Sequence, residues 1–445
     1  MFAASVPHLP RRGGPVLAAL CSALCLTFVS LGAHAQAGLT LDQALRAAQD
    51  RSQQLVAQDA AAAASRDMAV AAGQRPDPTL RVGINNLPIN TQDRFSLTRD
   101  FMTMRSVGVM QEITRRDKLK ARAARFDREA ETAEAARALA LANLRRDTAM
   151  AWLDRYYQEQ MLVVLRSQRG EASLQIEAAD AAYRSGRGAQ ADVFAARSAV
   201  ALIDDRIRQT ERQIATAKTR LARWVGDTAE QPLGALPSVA TLHFDADGLA
   251  GRVEHHPEIA VMRKQEEMAR ADADIAQSNK RSDWSVELMY SQRGSAYSNM
   301  VSVNLSIPLQ LDQKNRQDRD VAAKIALAEQ MRAQREEATR EHLAETRSWL
   351  QEWQGNRERL AQYDASLIPL AMERTRAAMA AYRGGSGPLS AVLDARRMEI
   401  DTRMDRLRLE METAGRWAQL EYLVPPEHDA AVPARPTGSI DKQER

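Results

Sequence analysis

The side chains in this sequence best suited to binding a metal ion are three methionines and a pair of histidines. Met102, Met104 and Met110 fall within one short segment, and thioether sulfur binds soft ions such as Cu(I) and Ag(I). A relay of these thioethers is one interpretation, but methionine more often serves as adaptable packing material, and we favour packing. His255 and His256 are adjacent, so on a helix their imidazoles diverge by about 100° and cannot easily share one ion. We therefore predict no resident metal and assign the histidines to the start of a helix.

Catalytic groupings with a recognisable spacing are missing from the sequence. It contains no H-E-x-x-H zinc motif, no glycine-rich phosphate loop, no G-x-S-x-G motif and no dinucleotide fingerprint. Carboxylates are plentiful, but on long helices they usually form solvated faces paired with Arg and Lys. We therefore predict no enzyme activity and no cofactor.

The composition favours long helices over a large globular core. Only 5% of the 445 residues are aromatic, and alanine together with Leu, Glu, Arg and Gln is typical of helices packed along their sides. The formal charge is +3 and falls to +1 without residues 1–35, which hold two arginines and no acid. A near-neutral chain with interspersed charges argues against nucleic acid as a partner.

Residues 1–35 have the features of a signal peptide for export. Arg11 and Arg12 precede an apolar stretch at 16–31, and the small-x-small cleavage pattern of residues 33–35 follows at once. About 16 apolar residues are few for a membrane span. We therefore predict cleavage and a mature chain that starts near Gln36.

Both cysteines of the chain lie inside this predicted signal peptide. Cys21 follows Leu20 and Cys25 follows Leu24, whereas lipoprotein processing needs a small residue before the cysteine. We therefore predict no lipid anchor. The mature chain then has no disulfide and no thiolate metal site.

The second half of the mature chain repeats the first at an offset of about two hundred residues. The sequence AAYRSGRG at 181–188 returns at 380–387 as AAYRGGSG. Upstream, WL at 152–153 returns at 349–350, and VGV at 107–109 returns as VSV at 301–303. Because the matches follow the same order, we interpret the chain as two structural repeats.

Each repeat is predicted to form a helix, two strands, a long helix, a turn and a shorter helix. The first repeat, residues 36–225, has these elements at 41–74, 79–86, 104–113, 114–184 and 190–225. The second repeat, residues 249–424, has them at 249–281, 285–292, 300–307, 312–383 and 388–423. A connector at 226–248 joins the repeats, and a polar tail at 425–445 is predicted to be disordered.

The two long helices are the most unusual predicted elements. Residues 114–184 contain no proline and a single glycine, Gly170, so they can form one helix about 107 Å long, far longer than a globular core needs. In the second repeat, Gly384 and Gly385 are predicted to end the long helix as left-handed C-cap residues, and Pro388 suits the first turn of the next helix.

Residues 301–307 show the clearest strand pattern. The odd positions are apolar and the even positions, Ser302, Asn304 and Ser306, are small and polar; the apolar set comprises Val301, Val303, Leu305 and Ile307. A soluble sheet is the commoner cause of such alternation. Four strands, however, cannot close a wide barrel, and an open strand edge cannot lie in lipid. Three copies of the chain would supply twelve strands, with the apolar set facing lipid and the polar set facing water.

A Y-x-x-G-x-x-x-x-x-D-V-L-x-A pattern stands after each long helix. The first copy comprises Tyr183, Gly186, Asp192, Val193, Phe194 and Ala196, and the second comprises Tyr382, Gly385, Ala391, Val392, Leu393 and Ala395. With the tandem repeats and the strand pair before each long helix, this pattern resembles the TolC-like outer membrane efflux protein family over nearly the whole mature chain.

The resemblance implies a mainly helical fold with a small β-barrel part. In a homotrimer, long antiparallel coiled-coil helices would form an α-barrel in the periplasm, and four strands per chain would form a 12-stranded barrel in outer-membrane lipid. The implied function is passive conduction of an exported substrate to the exterior. The implied partners are a periplasmic adaptor (membrane fusion) protein and an inner-membrane RND pump.

The resemblance also implies where the adaptor docks and where the channel closes. The docking residues at the periplasmic tip would be Tyr183, Gly186, Gly188, Asp192, Tyr382, Arg383, Gly385 and Gly387. The second copy departs from the pattern with Ala391 in place of aspartate but keeps the next acidic residue, Asp394. A three-fold axis would bring three Asp394 carboxylates together as a gate, where a bound cation would relieve their repulsion.

A narrower resemblance concerns the substrate. NLP at 86–88 and DFMTMRSVGVMQE at 100–112 resemble the heavy-metal branch of the family, which implies export of cations such as copper and silver or zinc, cobalt and cadmium. Drug efflux and type I protein secretion remain alternatives. So does a periplasmic adaptor or structural coiled-coil protein, although an adaptor carries one helical hairpin flanked by compact β domains.

Overall fold

The computed structural model describes residues 38–243 and 253–423. The predicted signal peptide, the predicted C-terminal tail and the end of the connector at 244–248 lie outside the described residues. So does the predicted helix start at residue 249.

The described chain is mainly helical, with one small sheet, which confirms the predicted fold class. The helices are α1 (Leu41–Arg51), α2 (Gln53–Ala72), α3 (Arg116–Arg184), α4 (Gln190–Val225), α5 (Pro257–Ser278), α6 (Gln317–Gln362), α7 (Ile368–Arg383) and α8 (Leu389–Glu421). The longest, α3, has 69 residues and is therefore about 104 Å long. No helix among the described residues is both long enough and apolar enough to cross a membrane.

Four antiparallel strands form the sheet in the order β1-β2-β3-β4, with two strands from each repeat. They are β1 (Thr79–Asn85), β2 (Met104–Ile113), β3 (Trp284–Gln292) and β4 (Met300–Ser306). The pairing of β2 with β3 joins the two repeats. β1 and β4 are the edge strands and each has one unpaired edge within the described sheet.

The predicted first helix of each repeat is wrong in its bounds. In the first repeat, Ser52 is extended and its hydroxyl accepts a hydrogen bond from the Leu55 amide at 3.4 Å, so it ends α1 and caps α2. In the second repeat, Val253 and Glu254 are helical, the helix is broken at His255 and His256, and α5 starts at Pro257. The break falls there because the residue before a proline is driven out of the helical region. His256 is extended there and serves as the N-cap.

The long helix of the second repeat is also interrupted, contrary to the prediction of one helix over 312–383. It starts at Gln317, and a π-helical turn at Tyr363–Leu367 separates α6 from α7. Pro369 stands in the first turn of α7. Since proline has no N–H and its ring clashes with the preceding turn, the wider π turn accommodates it.

The main core lies midway along the long helices and holds the connector against them. Three indole N–H groups donate to backbone carbonyls: Trp152 to Leu39 at 2.9 Å, Trp353 to Val239 at 3.3 Å, and Trp417 to Thr241 at 2.9 Å. The buried guanidinium of Arg155 donates to the carbonyls of Ala229 at 2.6 Å and Gln231 at 2.9 Å. These bonds provide hydrogen-bond donors for carbonyl groups of irregular backbone that crosses a buried region.

Candidate functional site

The register of the sheet aligns apolar side chains in two rows that cross all four strands. One row comprises Leu80, Val109, Leu288 and Val303, and the other comprises Val82, Val107, Tyr290 and Val301. All eight side chains are exposed, from 43% for Tyr290 to 75% for Val82. A contiguous exposed apolar face of this kind marks a surface for lipid or for another protein.

The opposite face of the sheet is polar and partly buried. Glu287, which is only 8% exposed, pairs with Arg81 at 3.2 Å and accepts a hydrogen bond from the Asn304 amide at 3.3 Å. Ser106 and Ser291 on the same face are buried. The sheet therefore exposes its whole apolar face, while its polar face is shielded along the central strands β2 and β3 and exposed along most of the edge strands. An exposed apolar face over buried polar groups is the reverse of the usual arrangement in water.

The predicted lipid-facing residues all lie on the exposed side of β4 or just beyond it. Val301, Val303 and Leu305 are 60–70% exposed, and Ile307, which follows the last residue of β4, is 54% exposed.

The three methionines do not come together. Met104 and Met110 lie on the polar face of β2, six residues and thus about 20 Å apart along the strand. The sulfur of Met110 accepts a hydrogen bond from Arg81 at 3.1 Å, and Met102 is exposed in the loop between β1 and β2. This placement favours packing and surface roles over one shared metal site.

The two predicted tips are turns of nearly identical geometry. In the first, Gly186 has a φ of +74° and its amide donates to the Tyr183 carbonyl at 3.0 Å. In the second, Gly385 has a φ of +71° and donates to the Tyr382 carbonyl at 3.1 Å. Gly384 was also predicted to be left-handed, which is wrong: its φ of −78° is right-handed, because one left-handed residue suffices to reverse the chain.

A second glycine in each turn allows close approach to the preceding helix. A Cβ at Gly188 would lie 3.0 Å from the Cβ of Ala182, and one at Gly387 would lie 3.0 Å from that of Ala381. Both distances are shorter than ordinary van der Waals contact, so glycine at these positions keeps the turns tight.

The first turns of α4 and α8, which follow the two tips, differ at the aspartate position of the pattern. Asp192 accepts a hydrogen bond from the Ala189 amide at 3.2 Å, closing the first turn of α4. The equivalent of Ala189 at the start of α8 is Pro388, which has no N–H to donate. An aspartate at position 391 would therefore find no such donor, which accounts for Ala391.

The two tips pack against each other through a small apolar cluster formed by Ala179, Val193, Ala196, Leu389 and Val392. Tyr183 is exposed and Tyr382 is half-buried. The predicted gate residue Asp394 is exposed, and within the described residues it has neither a hydrogen bond nor an ion pair.

One tip residue that the sequence did not single out is Arg396. Its guanidinium is largely buried, donates to the Gln168 side chain at 3.1 Å and forms an ion pair with Glu171. It thereby ties α8 to α3 close to Asp394. Its sequence signal is that it occupies the position in the second repeat equivalent to Arg197 in the first.

The histidine that approaches His256 is His342 on α6, not its chain neighbour His255. The His256 and His342 rings lie 4.7 Å apart between centroids, and Glu258 Oε2 is 3.0 Å from His342 Nε2. Burial, together with the neighbouring His342, lowers the pKa of His256 to about 4. This cluster could not be predicted from sequence patterns, because its two histidines are far apart along the chain.

This fold is shared with solved outer-membrane channels. VceC of Vibrio cholerae, described as an outer membrane protein, matches with a TM-score of 0.71 and 19% identity over 86% of this chain and 95% of that one. The outer-membrane channel OprN matches with a TM-score of 0.72 and 18% identity over 86% and 89% of the two chains. The Campylobacter jejuni CmeC outer membrane channel matches with a TM-score of 0.70 and 11% identity over 86% of this chain and 85% of that one.

The second repeat also matches a sequence family. Residues 253–424 match the model of the family described as outer membrane efflux protein. The match covers the sheet strands β3 and β4, the second long helix and the second tip. No curated protein was found to match the chain.

The aspartate cap gives a test of the tip geometry. Asp192→Ala should remove the bond to the Ala189 amide and destabilise the start of α4 by about 1 kcal/mol, which corresponds to roughly fivefold faster amide exchange in this turn. Hydrogen–deuterium exchange of peptides covering 185–195 measures the effect. Ala391→Asp is the matched control: Pro388 offers no donor, so only the weaker helix-dipole interaction remains and exchange at 384–394 should slow clearly less than fivefold. Fivefold slowing or more in that control would contradict our explanation.

Proposed function

We propose that this protein is an outer-membrane efflux channel that conducts its substrate passively from the periplasm to the exterior. The observation that carries the proposal is the sheet, whose apolar face is exposed on all four strands and whose polar groups are buried on the two central strands. Such a sheet suits a barrel wall with lipid outside and water inside. The match of residues 253–424 to the outer membrane efflux protein family and the fold shared with solved channels support it.

The working form in this proposal is a homotrimer. The sheet has four strands and two open edges, and unpaired backbone groups at those edges are not tolerated in lipid. Pairing β1 of one copy with β4 of the next would satisfy both edges. Three copies would give twelve strands, an even number within the range of outer-membrane barrels.

In this proposal the tips would lie far from the membrane, in the periplasm. With α3 about 104 Å long, the turns at Gly186 and Gly385 would lie near the opposite end of the molecule from the sheet. There the exposed turns would dock the periplasmic adaptor of a tripartite pump, and an inner-membrane RND pump would supply the energy. Asp394 would contribute to the gate, because its carboxylate is exposed and without a partner in the described chain.

Heavy-metal cations are the substrate class we propose, with drugs as the alternative. The support is the likeness of residues 86–88 and 100–112 to the heavy-metal branch of the family. The scattered methionines make no shared binding site, so the cation would pass through a water-filled conduit. An adaptor or structural coiled-coil role is less well supported, because the described chain has two helical hairpins, α3–α4 and α7–α8, and a single sheet.

A charge on the apolar face tests the membrane assignment. Val303→Arg should destabilise the inserted barrel by about 2 to 4 kcal/mol, since arginine would meet lipid at mid-depth. The measurement is the amount of heat-resistant trimer in isolated outer membranes. Asn304→Lys, on the polar face next to Glu287, is the matched control and should assemble normally. Normal assembly of both variants would refute the assignment of the two faces.

The tip glycines test adaptor docking. A double variant, Gly186→Val with Gly385→Val, puts a β-branched residue at two positive φ angles, which only glycine adopts easily. The variant should insert and trimerise but lose site-specific cross-linking to the adaptor in the native host, together with efflux. Gly170→Val is the control, because Gly170 lies within α3 and an added Cβ meets nothing within 4 Å. Intact cross-linking in the double variant would show that the adaptor docks elsewhere.

Asp394 tests the gate separately. If three carboxylates repel one another at the mouth, Asp394→Ala should raise single-channel conductance in a planar bilayer and weaken block by divalent cations added from the periplasmic side. Asp405→Ala, eleven residues and about 16 Å further along α8, also removes an exposed carboxylate and should change neither. Unchanged conductance and block in Asp394→Ala would remove Asp394 from the gate.

A further inference from the structure

We propose that His256, Glu258 and His342 bind one divalent cation of the zinc class and thereby join the start of α5 to the middle of α6. One ligand atom from each residue, two imidazole nitrogens and a carboxylate oxygen, lies within 4.8 Å of the others. Of all His, Cys, Asp and Glu side chains in the described residues, these form the one group of three so arranged.

The donors are close to the spacing that a tetrahedral ion needs. With Zn–N and Zn–O bonds near 2.0–2.1 Å, ligand atoms stand about 3.3 Å apart. His342 Nε2 and Glu258 Oε2 are already 3.0 Å apart. The Nδ1 of His256 accepts a hydrogen bond from the Glu258 amide at 3.3 Å, which leaves Nε2 for a metal ion. Rotation of the half-exposed Glu258 side chain would adjust the remaining distances.

His342 has a carboxylate near each of its two ring nitrogens. Its Nε2 faces Glu258, while its Nδ1 lies 3.9 Å from the carboxylate of Glu345 on the next turn of α6. A carboxylate that accepts a hydrogen bond from the second ring nitrogen is the usual partner of a coordinating imidazole, because it fixes the ring and raises its basicity. At 3.9 Å Glu345 is beyond hydrogen-bond distance and would take this role after a small side-chain rotation. The His342 side chain is only 18% exposed, so the ring is held in place by packing.

Nearby charges are compatible with a bound cation. The start of α5 carries the partial positive charge of a helix N-terminus, which opposes a cation. Glu258 and Glu345 both offset it. The positive charge of Arg146 on α3 lowers the pKa of His256 and so also opposes a cation, but Arg146 pairs with Asp147 at 2.8 Å.

The chemistry of the donors selects the ion. Two imidazoles and one carboxylate suit Zn²⁺, and also Co²⁺, Ni²⁺ and Cu²⁺, whereas Cu(I) and Ag(I) prefer sulfur. Three protein ligands leave a fourth position for water. The exposed side of Glu258 provides a route for the ion to enter from solvent.

This inference does not depend on the proposed function. A bound ion here would fasten α5 to α6 in the helical part of the molecule, whatever passes through the channel. Binding to the purified protein involves no transport, so a negative result would leave the channel proposal standing. Failure of the Val303 prediction would likewise leave this site untouched.

The test is calorimetric titration of ZnCl₂ into the detergent-solubilised mature protein, prepared without a histidine tag. We expect one Zn²⁺ per chain and at least tenfold weaker binding in both His342→Gln and Glu258→Gln. Replacing zinc with Co²⁺ should give the visible absorption of a tetrahedral site in the unaltered protein but in neither variant. Using two variants keeps the test informative if one fails to assemble.

His243→Gln is the matched control. His243 also contacts a glutamate, Glu421, but belongs to no group of three ligands within the described residues, so zinc binding should persist in this variant. Three outcomes would overturn the proposal. These are no zinc binding by the unaltered protein, equal binding in His342→Gln or Glu258→Gln, and loss of binding in His243→Gln. In the first two cases the cluster would be held by hydrogen bonds alone.

Discussion

The constraint on which the rest of this structure depends is a sheet whose apolar face is fully exposed while polar side chains of its other face are buried on the central strands. In water such a sheet would be unfavourable, because apolar rows stay hydrated while Glu287 and its neighbours lose water. Both difficulties disappear if lipid covers the apolar rows and further copies of the chain close the two open edges. The long helices, the connector and the tips then serve as one assembly anchored at the sheet.

Much of the fold could be predicted from the sequence, because its strongest signals are periodic. Alternation of apolar and polar residues located β4, and the internal repeat located the long helices and tips. The interruptions were missed because they depend on single residues within favourable helical sequence. Ser52 breaks the helix at a single residue, where its side chain caps the start of α2. Pro369 causes a π turn, although the residues around it favour a continuous helix.

The candidate sites likewise divide into those that local sequence predicts and those that only the packed structure reveals. The left-handed glycines, Gly186 and Gly385, are readable from local sequence, since a positive φ leaves few alternatives. The absence of aspartate at position 391 could be noticed but not explained until the structure placed Pro388 where its missing N–H matters. The cluster of His256 and His342 could not be found at all, because only the packing of α5 against α6 brings the two rings together.

The pairing of β2 with β3 has a consequence for how the chain folds. These strands lie about 180 residues apart in sequence, whereas α3 and α4, or α7 and α8, are joined by short turns. Contacts between distant segments form more slowly, because a long loop must first be closed. We therefore expect the helical hairpins to form early and the sheet to close last. Until then the apolar strands have no partners, and this interval is when the chain is most exposed to aggregation and most in need of a chaperone.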